Sequence, residues 1–586
     1  MESRSRVARD VTVPVHNQDV AAIFDEMADL LELQQANPFR IRAYRRAAQT
    51  IRTQAGELSA RVAANKPLED LPGIGDDLAA KIIEILETGH CAALDKLKRK
   101  VPEGLEELLH LPGLGPARVR LLRQELGITS LARLRSAIEK GRLTGVKGFG
   151  PRLQARLAEA VANPVTGQRM LRSTATQYAA SLVAHLRGVD GVTGVTVAGS
   201  YRRGRETVGD LDLLVASERP EAVVEAFTGY DEVREVLAAG GTRASVRLSS
   251  GLQVDLRVVS DESYGAALHY FTGSKAHNIH VRRMGQRRKL KINEYGVFRG
   301  PKRIAGRTEE SVFSSVGLPF IPPELREDRG EIEAALAGHL PRLLERGDLR
   351  GDLHVHTGAT DGTATLAAMA DAARAAGLGY IACTDHSRYL GAYRGLDAKR
   401  LGRQLDEIDR LNAGSGSFCI FKGIEVDILE DGSLALPDDV LAQLDLVVGA
   451  VHGHFGLSRR KQTERLLKAI DHRYFSILAH PTTRLLGERE PIDFDLERVV
   501  QHCAERGSFL ELNSQPQRLD MDDAACRLAA GHGVLVSVAS DAHRPEDFAN
   551  LEWGVTQARR GWLGAAQVLN TLPAGKLKQL LRRTMR

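Results

Sequence analysis

Cysteine is scarce: Cys91, Cys383, Cys419, Cys503 and Cys526 are scattered over 586 residues, with no CxxC pair. That excludes a disulfide framework or a thiolate zinc site, and it suits a reducing cytoplasm, where the protein is expected to reside. No uninterrupted apolar run reaches the length of a membrane span, so no transmembrane helix is expected. The opening stretch MESRSRVARDVTVPVH lacks the apolar core of a secretory signal. A large net charge is also lacking, at +5 from 80 Lys and Arg against 75 Asp and Glu. Its distribution is uneven, however. Residues 1–350 hold 52 Lys and Arg against 44 Asp and Glu, a surplus of +8, while residues 351–586 hold 28 against 31, or −3. Basic runs such as RRMGQRRKLK (282–291) suit a polyanion such as nucleic acid. The length implies several domains, and 43% hydrophobic with 26% charged residues is ordinary for globular ones.

A repeat stands near the start. LPGIG (71–75), LPGLGP (111–116) and VKGFGP (146–151) each precede a helical apolar pattern. Paired glycines permit a tight turn with positive φ and leave backbone N–H groups at a helix N-terminus, where they can hold a phosphate without reading a base. Gly73, Gly75, Gly113 and Gly115 are therefore candidate DNA contacts. The basic amphipathic segment NPFRIRAYRRAAQTIR (37–52) adds Arg40. Lys81, inside the helix after the first hairpin, suits a phosphate contact or, if partly desolvated, a Schiff base with an abasic sugar.

The segment VAGSYRRGRETVGDLDLLV (197–215) carries sharper chemistry. DLDLLV is strand-like, so Asp210 and Asp212 share one face. Asp255, in LQVDLRVV, supplies a third carboxylate on another strand. Such a set suits hard divalent cations, and two ions about 4 Å apart can assist an in-line displacement that releases pyrophosphate. Ser200, Arg202 and Arg203 in GSYRRG suit a triphosphate.

Ten of the 18 histidines lie between residues 354 and 543. Seven of them follow short apolar runs: GDLHVHTGATDG (His354, His356, Asp361), YIACTDHS (His386), DLVVGAVHGHF (His452, His454), FSILAHPT (His480) and VSVASDAH (Asp541, His543), with Glu425 in FKGIEVDIL. The runs read as buried parallel strands alternating with helices such as LAAMADAARAAG. Ligands at strand C-termini are what a (β/α) barrel offers, and imidazoles with carboxylates suit zinc, manganese or iron.

These residues resemble bacterial family X DNA polymerases carrying a C-terminal PHP (polymerase and histidinol phosphatase) domain. The likeness runs from about residue 20 to 330 through the hairpins, AYRRAA, GSYRRG, DLD, YFTGSKAHNIHVRR (270–283), NEYGVF (293–298) and GLPFIPPELREDRGE (317–331), then resumes from 350 to about 570. It implies a multidomain fold: α-helical helix-hairpin-helix N-terminal domains, an α+β nucleotidyltransferase palm with thumb, and a distorted (β/α)7 barrel. The implied boundaries are 1–90 and 91–165 for the helical DNA-binding domains, 166–260 for the palm, 261–325 for the thumb, 326–350 for a helical linker and 351–586 for the PHP barrel.

By that resemblance, Asp210, Asp212 and Asp255 bind Mg2+. Ser200, Arg203 and Gly209 hold the β- and γ-phosphates; Tyr270, Phe271 and Gly273 line the sugar pocket; Asn278 and Arg282 meet the minor-groove edge. Lys275 stands where the best-known vertebrate member is acidic, which implies nucleotide binding before template arrives. Lys81 matches the lyase lysine, although Asp77 and Arg40 replace a basic residue and a lysine there. In the barrel, His354, His356, Glu425 and Asp541 hold one metal, His452 and His480 complete a second site around the bridging Glu425, and Asp361, His386 and His543 hold a third. Three Mn2+ or Zn2+ ions are implied there, and Na+ or K+ at the hairpins. His454 lies outside the set.

The expected function is templated gap filling on gapped or primed DNA with dNTPs, coupled to 3′–5′ exonuclease action in base excision repair. A 5′-deoxyribose-phosphate lyase or AP endonuclease activity is a further implication, and a monomer is expected. Three other readings stay open: a small-molecule phosphatase in the barrel, a barrel that serves as a structural module, and a DNA-end-binding scaffold with idle centres. The C-terminal KLKQLLRRTMR reads as a short basic helix, either touching DNA or solvated.

Overall fold

The computed structural model describes residues 15–52, 54, 57–101, 104–109, 111, 113–146, 148–162, 169–388, 395–414 and 416–585. The targeting reading of residues 1–14 lies outside them, as do Pro112 and Lys147 of the repeats. Two compact units form. One comprises Met1–Met170, Ala180–His185 and Val224–Asp255; the other comprises Leu171–Ala179, Leu186–Val223 and Leu256–Arg586. Among the described residues no helix is long and apolar enough to cross a membrane. All five cysteines are free thiols.

In the first unit, the helix Asn17–Leu33 buries Val20, Phe24, Met27 and Leu31 at helical spacing. It packs on Pro38–Arg52 through Tyr44, Ala47, Ala48 and Ile51. Phe24 meets Tyr44 edge-on at 5.5 Å. Beside that seam, Arg45 and Arg52 pair with Asp29 and Asp25, so the basic helix spends part of its charge internally. Arg40 stays exposed, with its guanidinium 5.9 Å from the Tyr44 ring.

The three hairpins share one geometry. Gly73, Gly113 and Gly148 have φ of +77°, +87° and +91°, values that favour glycine. The N–H groups of Ile74, Leu114 and Phe149 donate back to the carbonyls of Leu71, Leu111 and Val146 at 3.0, 2.9 and 3.1 Å. Each intervening apolar residue is a buried peg. Ile74 joins the core of the first helices, whereas Leu114 and Phe149 share a second core with Leu122, Leu134 and Leu157. The strands Val233–Gly240 and Arg243–Leu248 of this unit pair antiparallel.

In the second unit, Val192–Val197 pairs antiparallel with Asp210–Ser217. Two further helices, Tyr264–Thr272 and Lys275–Arg287, pack with a three-stranded antiparallel sheet around Ala266, Val281, Val297 and Phe313. The charged segment 326–350, expected as a helical linker, is α-helical only over Glu331–Leu336, with one 3-10 turn at Arg346–Asp348. Gly338, at φ +70°, and Pro341 follow the short helix. Arg326, Glu331, Ile332 and Leu344 are buried, which makes the segment part of the core.

Residues from 351 onward form the barrel. Its parallel strands are Gly351–Val355, Tyr380–Cys383, Cys419–Lys422 continuing as Glu425–Asp427, Val448–Ala450, Ile477–Leu478, Phe509–Asn513 and Val536–Ala539, seven when the interrupted strand counts once. Inside lie Leu353, Tyr380, Phe421, Val448, Ile477 and Phe509. Leu577 and Leu581 of the C-terminal helix Ala574–Thr584 join that cluster and are fully buried. This helix therefore seals the barrel core with one face and leaves its basic residues outward.

The ring closes between its first and last strands through a parallel bridge, Val355 to Ala542, with the His356 N–H donating to the Ala542 carbonyl at 2.8 Å. Asn570, with no exposure, accepts from the Val538 N–H at 3.0 Å and donates to the Gly351 and Val538 carbonyls at 2.7 Å. Asn570→Ala is expected to cost about 2–3 kcal/mol, since it leaves buried backbone groups unpaired. Denaturant unfolding checks this, and a loss under about 0.5 kcal/mol would contradict the clamp.

In the first unit, buried His16 lies 3.1 Å from Glu232 and 3.3 Å from Glu57. Burial opposes its charge, but the two carboxylates outweigh it and raise the pKa from 6.5 to about 10. The resulting stabilisation is complete below about pH 6.5 and disappears as pH rises through about 10. The Tm difference between wild type and His16→Gln should shrink over that range. A difference independent of pH would contradict the charged pairing.

Candidate active sites

The barrel mouth gathers all nine expected ligands at strand ends. His354 and His356 end the first strand, and Asp361 sits in the loop beyond it. His386, Glu425, His452 and His480 follow on successive strands, and Asp541 with His543 follows the last. Their donor atoms form three groups, each within 4.8 Å: His356, Asp361, His386 and His543; His354, His356 and Asp541; His386, Glu425 and His452. His480 joins through Nε2, 3.0 Å from Glu425 Oε1.

Glu425 divides its two oxygens. Oε1 faces His480 and, at 3.2 Å, His452. Oε2 lies 2.7 Å from His386, 3.5 Å from His354 and 3.6 Å from His356. The grouping differs from the implied sets in three respects: His356 also borders Asp361, at 3.7 Å, His386 stands in two groups, and Glu425 groups with His386 and His452 and not with His354, His356 and Asp541. His480 and Asp541 have left-handed backbones, at φ +27° and +52°, a strain seen where a site fixes its side chains. His454, also at positive φ, is turned outward to Glu430 at 3.3 Å.

The donors fit metal ions. His354 Nε2 and both ring nitrogens of His356 are buried and make no hydrogen bond. Coordination would satisfy atoms that burial otherwise leaves costly. Mixed imidazole and carboxylate donors suit borderline divalent metals. The electrostatics agree. Burial opposes ionised Glu425, yet His386, His452 and His354 hold its pKa well below the carboxylate range. Burial likewise opposes a charged His354, yet Glu511, Asp541 and Glu425 raise it well above the ordinary histidine value.

Three supporting residues escaped the sequence reading. Glu511 takes His354 Nδ1 at 2.6 Å and the His480 N–H at 2.7 Å. Asp427 takes His452 Nδ1 at 3.0 Å, and the Asn513 amide donates to Asp541 at 2.9 Å. Carboxylates of this kind fix the tautomer and the ring direction of a liganding histidine. The signal was present: FLELN and IEVDI each place an acid within an apolar strand.

A second cluster lies among residues 199–282. Asp210 and Asp212 point away from buried Leu211 and Leu213, as alternation predicts. Gly199, at φ +60°, is packed so closely that a Cβ would stand 2.1 Å from an Asp212 oxygen, so only glycine fits beside the following Ser200. Arg203 Nη1 donates to the Thr272 carbonyl at 2.6 Å, and a Cβ on Gly273 would stand 3.3 Å from it. Tyr270 and Phe271 meet edge-on at 5.1 Å. Asn278 donates to the Tyr270 carbonyl at 2.7 Å, and the Arg282 guanidinium lies 6.0 Å from the Tyr270 ring. Lys275 opens the next helix and is exposed, while Gly209 directly precedes Asp210.

Arg202, read from sequence as a second phosphate ligand, is instead held by Glu309 at 2.6 Å, which Arg326 also binds at 2.6 Å. In the other unit, Asp255 alternates with buried Val254 and Leu256 and accepts from Gln253 at 3.0 Å and from Ser245. Gly75 and Gly115 cap their helices, with nothing within 4 Å of an added Cβ, so a backbone ligand has room. Lys81 donates to Asp77 Oδ1 at 2.5 Å, an ion pair that does not set it apart as a nucleophile.

Family models match in consecutive blocks: a helix-hairpin-helix domain over 15–91, a SAM-like helix-hairpin-helix tandem over 105–163, the DNA polymerase beta palm over 169–249, the DNA polymerase beta thumb over 267–327 and a PHP domain over 352–515. The class is thus a beta-type nucleotidyltransferase joined to a PHP domain. Over 574 residues, 97% of this chain and all of the relative, 36% of residues are identical to the DNA polymerase/3′-5′ exonuclease PolX of Bacillus subtilis (strain 168). The chain belongs to the PolX family of DNA polymerases. DNA polymerase lambda of Rattus norvegicus is 25% identical over 44% of this chain and 48% of its own length. A protein of Thermoanaerobacter sp. (strain X514), named a probable phosphatase, is 29% identical over 40% of this chain and 95% of its own.

If Glu511 orients His354, Glu511→Gln should weaken metal retention about 10- to 100-fold. Chelator competition followed by metal analysis reads this, and unchanged retention would contradict the role.

Proposed function

We propose that this enzyme fills short gaps in DNA by templated nucleotide addition and trims 3′ ends at the barrel, in base excision repair. The observation that carries this reading is the convergence of all nine barrel ligands in a chain that also keeps the DLD strand and the GSYRRG turn. Asp210, Asp212 and Asp255 would hold Mg2+, which when bound supplies charge stabilisation for nucleotidyl transfer. Ser200, Arg203 and Gly209 hold the triphosphate. Tyr270, Phe271 and Gly273 bound the sugar, Asn278 and Arg282 meet the base-pair edge, and Lys275 steers the incoming nucleotide. Gly73, Gly75, Gly113 and Gly115 offer backbone N–H groups to DNA phosphates, and Arg40 adds charge.

In the barrel, His354, His356, Asp361, His386, Glu425, His452, His480, Asp541 and His543 would hold three Mn2+ or Zn2+ ions, which supply Lewis-acid activation for phosphodiester cleavage. A Thermoanaerobacter protein named a probable phosphatase, similar over 40% of this chain, favours a second reading, in which the barrel hydrolyses a small phosphoester.

Activity on a 3′-recessed, gapped DNA with manganese separates these readings. Asp210→Ala/Asp212→Ala should abolish extension by at least about 10³-fold and spare 3′ shortening, and His354→Ala/His356→Ala should do the reverse. Absence of 3′ shortening by wild type with every divalent metal would overturn the exonuclease assignment and leave the phosphatase.

A further inference from the structure

The turn that follows GSYR is gripped by the barrel. Arg560 ends the helix Leu551–Arg560 and is only 2% exposed. Its Nη1 donates to the Arg203 backbone carbonyl at 2.7 Å and to Glu327 Oε1 at 3.1 Å. Its Nη2 donates to Asp523 at 2.6 Å. The same Glu327 oxygen accepts from Arg203 Nε at 3.1 Å. Gly204, at φ +72°, leaves no room for a Cβ, which would stand 2.5 Å from the Thr556 methyl group of that helix. Glu206 then accepts from Gln557 of the same helix and from Arg484, both at 2.5 Å. Three of four consecutive residues, 203, 204 and 206, thus rest against barrel side chains.

We propose that the barrel helix Leu551–Arg560 is a wall of the nucleotide site, with Arg560 and Glu327 as positioning residues that aim Arg203 at the incoming triphosphate. The inference rests on the reading of Arg203 as a triphosphate ligand. One carboxylate oxygen is shared by Arg203 and Arg560, each at 3.1 Å, and more distantly by Arg205 at 3.8 Å, so no arginine holds the full charge of Glu327. Removal of Arg560 frees the backbone of Arg203 and leaves Glu327, shared then only with the more distant Arg205, as a stronger competitor for its guanidinium. Triphosphate must then displace that carboxylate. The fork of Arg560 serves three acceptors at once, which a lysine cannot reproduce.

The test measures the KM for dNTP and kcat on gapped DNA with the full chain, and 3′ shortening serves as the check that the barrel remains folded. Arg560→Met should raise the KM at least about fivefold with kcat nearly unchanged, and Arg560→Lys should recover only part of the loss. In an Arg203→Ala background Arg560→Met should add nothing, because it acts through Arg203. If Arg203→Ala leaves the KM unchanged, the triphosphate reading itself fails. If Arg203→Ala raises the KM but Arg560→Met does not, or if the two effects multiply in full, the positioning role is overturned. Should Arg560→Met lose 3′ shortening as well, the cycle is run with Glu327→Gln, which should shift the KM only where Arg203 is present; an unchanged KM, or the same shift in the Arg203→Ala background, overturns the positioning role.

Discussion

Glu425 must remain a carboxylate at 1% exposure, and the barrel mouth is arranged around that requirement. A buried anion without compensation would neutralise itself. Here five imidazoles stand within 3.6 Å of its two oxygens, arriving from four different strand ends. Only a parallel barrel brings so many strand termini to one rim. Closure therefore matters as much as the ligands do. Asn570, the Val355–Ala542 bridge and the apolar plug of the C-terminal helix keep the first and last strands in register.

Charge pairing plays a different part elsewhere in the second unit. Glu309 holds Arg202 and Arg326, and Glu327 holds Arg203 and Arg560. These pairs tie the GSYRRG turn to residues more than 100 positions away. The two adjacent arginines both reach Thr272, but their carboxylates differ: Arg202 is held by buried Glu309, whereas Arg203 shares Glu327 with Arg560.

Much of this was legible in the sequence because the informative patterns are local. A hairpin needs one glycine at positive φ and one buried peg, and both occur within five residues in each repeat. The DLD strand announces its two faces by alternation. In the barrel, each candidate ligand histidine follows an apolar run that forms a strand. What sequence could not convey depends on distant partners. Nothing beside Arg202 tells that Glu309 will claim it, and nothing beside Glu511 tells that His354 lies against it. The helicity expected across 326–350 fails because Gly338 and Pro341 interrupt it and because burial of Leu343 and Leu344 takes over from local propensity. The C-terminal helix looks basic along its length, and its buried leucines are evident only once the barrel is closed.

The central claim is that two chemically distinct centres on one chain serve the same DNA 3′ end. Its most direct test is a gapped duplex whose primer ends in a 3′ mismatch, followed in single turnover with manganese and all four dNTPs. The account predicts that a shortened primer appears first and filled product later, and that His354→Ala/His356→Ala forms no filled product. Direct extension of the mismatched end by wild type, with no shortened intermediate, would contradict it.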